Sequence, residues 1–223
     1  MRRKAGLGRF DVSVFVNCPF DEAYRALLHA ALFAIHDCGF AARTALEDVG
    51  SDETRLDKIV RIIGESRFSV HDISRVEVNA DAPLPRFNMP FECGLSFGAA
   101  RFGSGASAAG RDQLVLAAEK FQDRRTLSDL AGQDAAYQGN DVRELIRAVR
   151  GFLAAKAKQV LPPAVLVRGH GAIADRFDQF RRELPALARS AGIEPEEIVS
   201  LDYVPDWLML AARWQATSTE RVR

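Results

Sequence analysis

One carboxylate in this sequence stands among apolar and small residues, and its position raises the question of what a charge does there. Glu92 lies in the segment Phe87–Gly98, FNMPFECGLSFG, which follows a loop and continues as an apolar helix. If Pro90 occupies the first helical position, Glu92 falls at the third, where its carboxylate could cap a free backbone N–H. The alternative is that Glu92 is a reactive group facing a site. Gly94 and Gly98 indicate either the close approach of a ligand to this helix or a tight helix–sheet contact.

Two further polar side chains stand where predicted strands end. Asn17 ends the segment Asp11–Asn17, DVSVFVN, and Asp72 stands near the end of Arg67–Ser74, RFSVHDIS. Ligands of open parallel sheets collect at the carboxyl ends of the strands, so we expect these residues to face the same crevice as Glu92. Two carboxylates in one cleft would raise each other's pKa and could divide the duties of acid and nucleophile. The alternative for Asp72 is an ordinary cap of the following turn.

The loops at this end of the predicted sheet supply candidates for substrate contacts. Phe20 offers a stacking face for a base and Asn17 an amide for a ribose or phosphate, whereas Asp21 could be an ordinary helix cap. The predicted substrate-binding residues are Asn17, Phe20, Asp21, Ser74, Arg86, Asn88 and Met89. The four histidines and three cysteines lack the spacing of metal ligands or of a disulfide framework, so we expect no metal and reduced thiols.

The elements that must position these residues alternate between strand and helix. The predicted strands are Asp11–Asn17, Phe40–Leu46, Arg67–Ser74 and Gln113–Glu119. Four helices are predicted: one after Asp21, one capped by Ser51 or Asp52, one that contains Glu92, and one over Asp141–Ala157. The second of these helices has an apolar stripe of Leu56, Ile59, Val60 and Ile63. This alternation is typical of a parallel sheet covered on both faces. We therefore expect a three-layer, flavodoxin-like α/β domain over residues 9–157.

A helical extension is predicted for residues 158–223, after the proline-containing link VLPPAV. Its helices are expected over Ile173–Arg189, with a kink at Pro185, and over Asp206–Ala216. This extension is expected to pack either on the α/β domain or on a partner subunit.

Composition narrows the class of protein. The 223 residues are 48% hydrophobic and carry 30 basic and 30 acidic side chains, for a net charge of zero. This balance argues against a dedicated nucleic-acid binder and does little to keep molecules apart, so a homo-oligomer is expected. No apolar run reaches the roughly 18–20 residues of a membrane span, and the basic start MRRKAGLGRF is not followed by an apolar segment, so we expect a cytoplasmic protein.

Taken in order, three of these segments resemble the superfamily that unites TIR domains with nucleoside 2-deoxyribosyltransferases. The segments are VFVNCPFD, FSVHDIS and NMPFECGLSFG, and the resemblance covers residues 9–157. It implies a TIR-like fold in which Glu92 is the catalytic glutamate that attacks or stabilises the anomeric carbon of a ribosyl group. Asp72 matches the aspartate that helps to hold the sugar in the deoxyribosyltransferases. The resemblance also implies a nucleotide or nucleoside substrate and activity that depends on assembly.

The chemistry that this resemblance implies is cleavage or transfer at an N-glycosidic bond. Such a reaction builds an oxocarbenium-like sugar that a carboxylate stabilises. Nicotinamide leaves as a neutral molecule without an acid, whereas a purine needs a proton from a group such as Asp72. We expect an NAD-hydrolysing enzyme with no resident cofactor, or a nucleoside deoxyribosyltransferase. The alternative is a non-catalytic nucleotide-binding or self-assembling signalling module.

Overall fold

Five strands form one central sheet. They are β1 (Ser13–Asn17), β2 (Ala41–Arg43), β3 (Phe68–Asp72), β4 (Asp112–Ala117) and β5 (Ala136–Tyr137). The structure is a computed structural model that describes residues 9–47, 52–75, 87–104, 110–128 and 135–220. The helices are α1 (Arg9–Val12), α2 (Arg25–Asp37), α3 (Arg55–Gly64), α4 (Asn88–Phe102), α5 (Gln122–Thr126), α6 (Val142–Val160), α7 (His170–Ser190), α8 (Pro195–Ile198) and α9 (Val204–Glu220).

The strands are all parallel and lie in the order β2-β1-β3-β4-β5. This is the flavodoxin-like order, and the prediction of a flavodoxin-like α/β fold is confirmed. The order reverses between β1 and β3, which pair directly, with Asn17 beside His71. The carboxyl ends of β1 and β3 are therefore adjacent, and a crevice for ligands is expected there.

Side chains that alternate along β1 pack into two separate apolar layers, one on each face of the sheet. Val14 and Val16 of β1 belong to a large core with α2 and α6, whereas Phe15 packs with the isoleucines of α3 on the opposite face. Helices α3 and α4 contact each other on that second face. Cys93 of α4 is buried against β3 and β4, as expected for a small packed residue.

The helical extension adds a further layer outside α2 and α6. Helices α7 and α9 contact α2, and α7 also contacts α6. Phe33 of α2 packs against Phe177, Phe180 and Trp214 of the extension. Because α2 is covered on both sides, every residue from 27 to 35 is buried, which is typical of an interior helix. The extension thus packs on the α/β domain of the same chain, and α6 runs past residue 157.

Several boundaries differ from those predicted. Residues 11 and 12 belong to the short helix α1, so β1 begins at Ser13. Thr54 caps α3 in place of the predicted Ser51 or Asp52, because its side chain accepts a hydrogen bond from the N–H of Asp57. Ser51 lies outside the described residues.

The apolar stripe of α3 also differs from the predicted one. Leu56 and Val60 are exposed, and the buried isoleucines are residues 59, 62 and 63. Those three positions recur at i, i+3 and i+4, which places them on one face. Strand β5 and helix α5 were not predicted, since two and five residues are too few to show a period.

Candidate functional site

A cleft of about 260 Å³ lies at the carboxyl end of β1, where the beginnings of α3 and α4 meet. Its lining residues are Asn17, Cys18, Phe20, Leu46, Arg55, Asn88, Met89 and Glu92. Five of the nine residues predicted for the site are in this set: Asn17, Phe20, Asn88, Met89 and Glu92. The cleft lies at the point where the strand order reverses, which is the usual ligand position in open α/β sheets.

Glu92 is not a helix cap. Helix α4 begins at Asn88, and the N–H of Phe91 already donates to Phe87 O at 2.9 Å. Glu92 is therefore the fifth helical residue, and the prediction that Pro90 stands at the first position and Glu92 at the third is wrong. No hydrogen bond or ion pair joins its carboxylate to another described residue, although the residue is only 6% exposed.

The environment of Glu92 favours the protonated carboxyl group. Burial raises its pKa from 4.5 to about 7, and the positive charge of Arg55 opposes this rise. Near neutral pH the group therefore exists in both protonation states. A carboxyl group with a pKa near the working pH can serve as an acid, a base or a charge stabiliser.

The two glycines of α4 do not make a tight contact with the sheet. A Cβ atom added at Gly94 would meet nothing within 4 Å, and one at Gly98 would meet only Phe102 Cδ2 at 3.8 Å. Of the two alternatives for these glycines, the tight helix–sheet contact is not found among the described residues. The backbone of α4 is open at both positions.

Asn17 fixes the start of α4 to the end of β1. Its amide group Nδ2 donates to Met89 O at 2.9 Å and lies 3.0 Å from His71 Nδ1. His71 is neutral, because complete burial lowers its pKa to about 3, and its Nε2 lies 2.9 Å from Ser69 Oγ. Both amide hydrogens of Asn17 are thus used within the protein. Its Oδ1 oxygen accepts no hydrogen bond from the described residues and remains available to a ligand.

Asp72 is held in an internal hydrogen-bond network and does not line the cleft. Tyr24 Oη donates to its Oδ2 at 2.6 Å, and Gln138 Nε2 donates to the same oxygen at 3.3 Å. The N–H of Ser74 donates to Oδ1 at 2.9 Å, so Asp72 caps the turn after β3. Burial raises the pKa of Asp72, and the hydrogen bonds from Ser74, Tyr24 and Gln138 oppose the rise. The structure therefore leaves one of the two predicted catalytic carboxylates out of the lining of the cleft.

Cys18 is a buried cysteine near both carboxylates, since both of their charges act on its thiol. Burial raises the pKa of its thiol well above the usual value, and Asp72, Glu92 and Asp21 raise it further. The thiol is protonated at neutral pH and is a poor nucleophile. All three cysteines are buried and free.

The other predicted contacts have varied positions. Asp21 Oδ1 accepts a hydrogen bond from the N–H of Tyr24 at 2.9 Å, so it caps the turn before α2. Phe20 carries the guanidinium of Arg55 over its ring, with Arg55 Cζ 6.0 Å from the ring centroid. Ser74 is buried beside Asp72, and Arg86 lies outside the described residues.

Comparisons with known proteins leave the site to be interpreted from its geometry. No protein-family model, curated protein or solved structure matches the chain. Among the described residues, no group of three or more His, Cys, Asp and Glu side chains could hold a metal ion. Of the described helices, none combines the length and apolar character that crossing a bilayer requires.

Sequence reasoning missed three residues of the cleft, Cys18, Leu46 and Arg55. Leu46 follows β2 and Arg55 begins α3, so each occupies a loop end where side chains are usually solvated. The available signal was the position of Arg55 directly after the helix cap Thr54. A basic residue is unfavourable at the positive end of the helix dipole, so an arginine at this position indicates a role other than stabilising the helix.

Proposed function

We propose that this protein is a nucleotide-processing enzyme that hydrolyses NAD at its N-glycosidic bond through Glu92. The observation that carries this proposal is the carboxylate of Glu92 in an open cleft, without a hydrogen bond or ion pair to another described residue. A buried carboxylate without a partner is unfavourable in a folded protein. A cationic substrate bound beside the carboxylate would compensate for it.

The proposed reaction breaks the bond between the ribose C1′ and the nicotinamide nitrogen. The electron pair of that bond leaves with nicotinamide, which changes from a cation to a neutral molecule. The sugar acquires oxocarbenium character, which the Glu92 carboxylate stabilises. Water then adds to C1′ and releases one proton, so the products are nicotinamide, ADP-ribose and a proton.

The position of Asp72 favours NAD over a purine nucleoside as the substrate. A purine must be protonated as it leaves, while nicotinamide needs no acid. Glu92 is the only acidic residue among the eight that line the cleft, and Asp72 is enclosed by Tyr24, Ser74 and Gln138. One carboxylate cannot stabilise the cationic sugar and protonate a leaving group at once. A cleft lined by a single carboxylate therefore suits a leaving group that departs unaided.

The resemblance to the TIR and deoxyribosyltransferase superfamily supports the same proposal. The flavodoxin-like strand order and the position of Glu92 near the start of α4 are in keeping with it. We also propose that the protein self-associates and acts in the cytoplasm, as the neutral net charge and the three free cysteines suggest.

The test is incubation of the wild-type protein with NAD and, separately, with purine 2′-deoxynucleosides, followed by chromatography. Production of nicotinamide and ADP-ribose is expected, with a loss of at least about 100-fold in Glu92→Gln. Glu196→Gln is the matched control, because Glu196 is exposed on α8. The assay should span protein concentrations from about 1 μM upward, since assembly between subunits is concentration-dependent.

Other outcomes separate the alternatives. Saturable binding of NAD without turnover would identify a nucleotide-binding module instead of an enzyme. Turnover that survives in Glu92→Gln would place the chemistry elsewhere. The absence of both binding and turnover at millimolar NAD would refute the proposal.

A further inference from the structure

Arg55 places a positive charge in the cleft. It is the first residue of α3, it is exposed, and it lines the cleft together with Glu92. No hydrogen bond or ion pair joins it to another described residue, and its guanidinium lies over the ring of Phe20. The Phe20 ring holds the guanidinium at the cleft without occupying its N–H donors.

Neighbouring arginines are paired, in contrast to Arg55. Arg43, on β2, binds the carboxylates of Glu47 and Glu65. Arg61, one turn and a half further along α3, binds Glu53. Carboxylates are thus available near this part of the fold, and they are used by other arginines. None of the carboxylates of the described residues uses the N–H donors of Arg55 in the same way.

The charges of the cleft are complementary to a substrate that carries both signs. Among the eight lining residues, Arg55 and Glu92 are the charged ones, and they do not form an ion pair with each other. Glu92 matches a cationic sugar and base, while a guanidinium matches a phosphate with two parallel N–H donors. The cleft volume of about 260 Å³ is just below the roughly 300 Å³ at which small-molecule pockets begin. A ribosyl group with its base and one phosphate is of this size class.

We propose that Arg55 binds the phosphate attached to the ribose that is cleaved, so that the site accepts nucleotides and discriminates against nucleosides. This inference rests on the proposed function, because it concerns the substrate of the same cleft. It assigns Arg55 as the residue that determines specificity between a phosphorylated and an unphosphorylated ribosyl substrate. Helix α3 contributes the positive end of its dipole beside the same residue.

The experiment compares nicotinamide mononucleotide with nicotinamide riboside, which differ by one phosphate. For the wild-type protein, kcat/KM for the mononucleotide should exceed that for the riboside by about 10- to 100-fold, the value of a charge-assisted hydrogen bond. In Arg55→Gln this ratio should fall to within about threefold of one. Arg55→Lys should keep part of the preference, because a lysine supplies the charge without the two parallel donors. Arg182→Gln is the matched control, since Arg182 is exposed on α7 and does not line the cleft.

The failures of the two proposals can be told apart. Equal turnover of both compounds by the wild-type protein would overturn the role of Arg55 and leave the hydrolase intact. If neither compound is turned over, calorimetric titration of both into Glu92→Gln and into Glu92→Gln/Arg55→Gln still tests the phosphate contact. Tighter binding of the mononucleotide that disappears with Arg55→Gln supports the inference, and equal binding of the two compounds refutes it.

Discussion

The unpartnered carboxylate of Glu92 should destabilise the folded protein at neutral pH. Its pKa is raised from 4.5 to about 7 by burial. A rise of this size corresponds to about 3.4 kcal/mol, at about 1.36 kcal/mol per pKa unit. Because Glu92 lines a cleft and is not enclosed on every side, part of this cost is screened, and we take about 2 kcal/mol. Glu92→Gln should therefore be more stable than the wild type by about 2 kcal/mol at pH 8.

The sign of the effect follows from whether Glu92 ionises first in the folded or in the unfolded state. Well below pH 4.5 the carboxyl group is protonated in both states, so the wild type and Glu92→Gln should have similar stability. As the pH rises from 4.5 to about 7, the unfolded chain ionises first and the wild type loses stability relative to the variant. Above about pH 7 the difference should be constant.

Urea unfolding of both proteins at pH 4, 6 and 8 measures this difference in the free energy of unfolding. His29 and His71, whose pKa values burial lowers to about 4 and about 3, affect both proteins alike and cancel in the difference. Glu196→Gln controls for the loss of one exposed negative charge. A variant that is equally stable or less stable than the wild type at pH 8 would show that the Glu92 carboxylate has a compensating partner, and our account of the cleft would be wrong.

Three further outcomes are expected. In the pH profile of kcat/KM for NAD, activity should rise with pH through the Glu92 pKa of about 7. The midpoint should move to higher pH in Arg55→Gln, because Arg55 lowers the pKa of Glu92. A fall in activity above pH 7 would mean that the protonated form of Glu92 is the active one. Asp72→Ala should lower the free energy of unfolding by about 1–3 kcal/mol, because it leaves buried donors unpaired. Tyr24→Phe, which removes one hydrogen bond to Asp72, should lower it by about 1 kcal/mol. Equal stability of Asp72→Ala and the wild type would refute a structural role of Asp72. Arg176→Met should cost about 2 kcal/mol in urea unfolding, because it removes a hydrogen bond of 3.0 Å to the buried carboxylate of Asp37 while Arg168 Nη1 still lies 3.6 Å from that carboxylate. A change below about 0.5 kcal/mol would mean that the Arg176–Asp37 pair does not hold the extension to α2.

The fold could be predicted from the sequence because its main elements have clear periods. The alternation of valines in β1 and the amphipathic pattern of α6 are local features, and the parallel order follows from their succession along the chain. The docking of the extension is a long-range feature and was left open. Its sequence signal is the continuous apolar character of residues 27–35 in α2, which requires cover on both sides.

The site was predicted only in part, because burial and pairing depend on distant residues. Glu92 could be found from its apolar surroundings alone. Asp72 was expected in the crevice, but its partners Tyr24 and Gln138 lie 48 and 66 residues away in the sequence. Arg55 resembles any solvated arginine until the fold places it beside Phe20 and Glu92.

The cleft combines fixed polar walls with two charged side chains, Arg55 and Glu92, that form no hydrogen bond or ion pair with another described residue. Asn17 uses both amide hydrogens to hold Met89 and His71 in place, and Asp72 is bound by Tyr24, Ser74 and Gln138. These contacts make the walls rigid, whereas one carboxylate and one guanidinium are left without partners between them. A protein keeps such a destabilising arrangement where a ligand compensates for it. For that reason the stability measurement on Glu92→Gln also tests the functional proposal: the variant that loses activity should be the variant that gains stability.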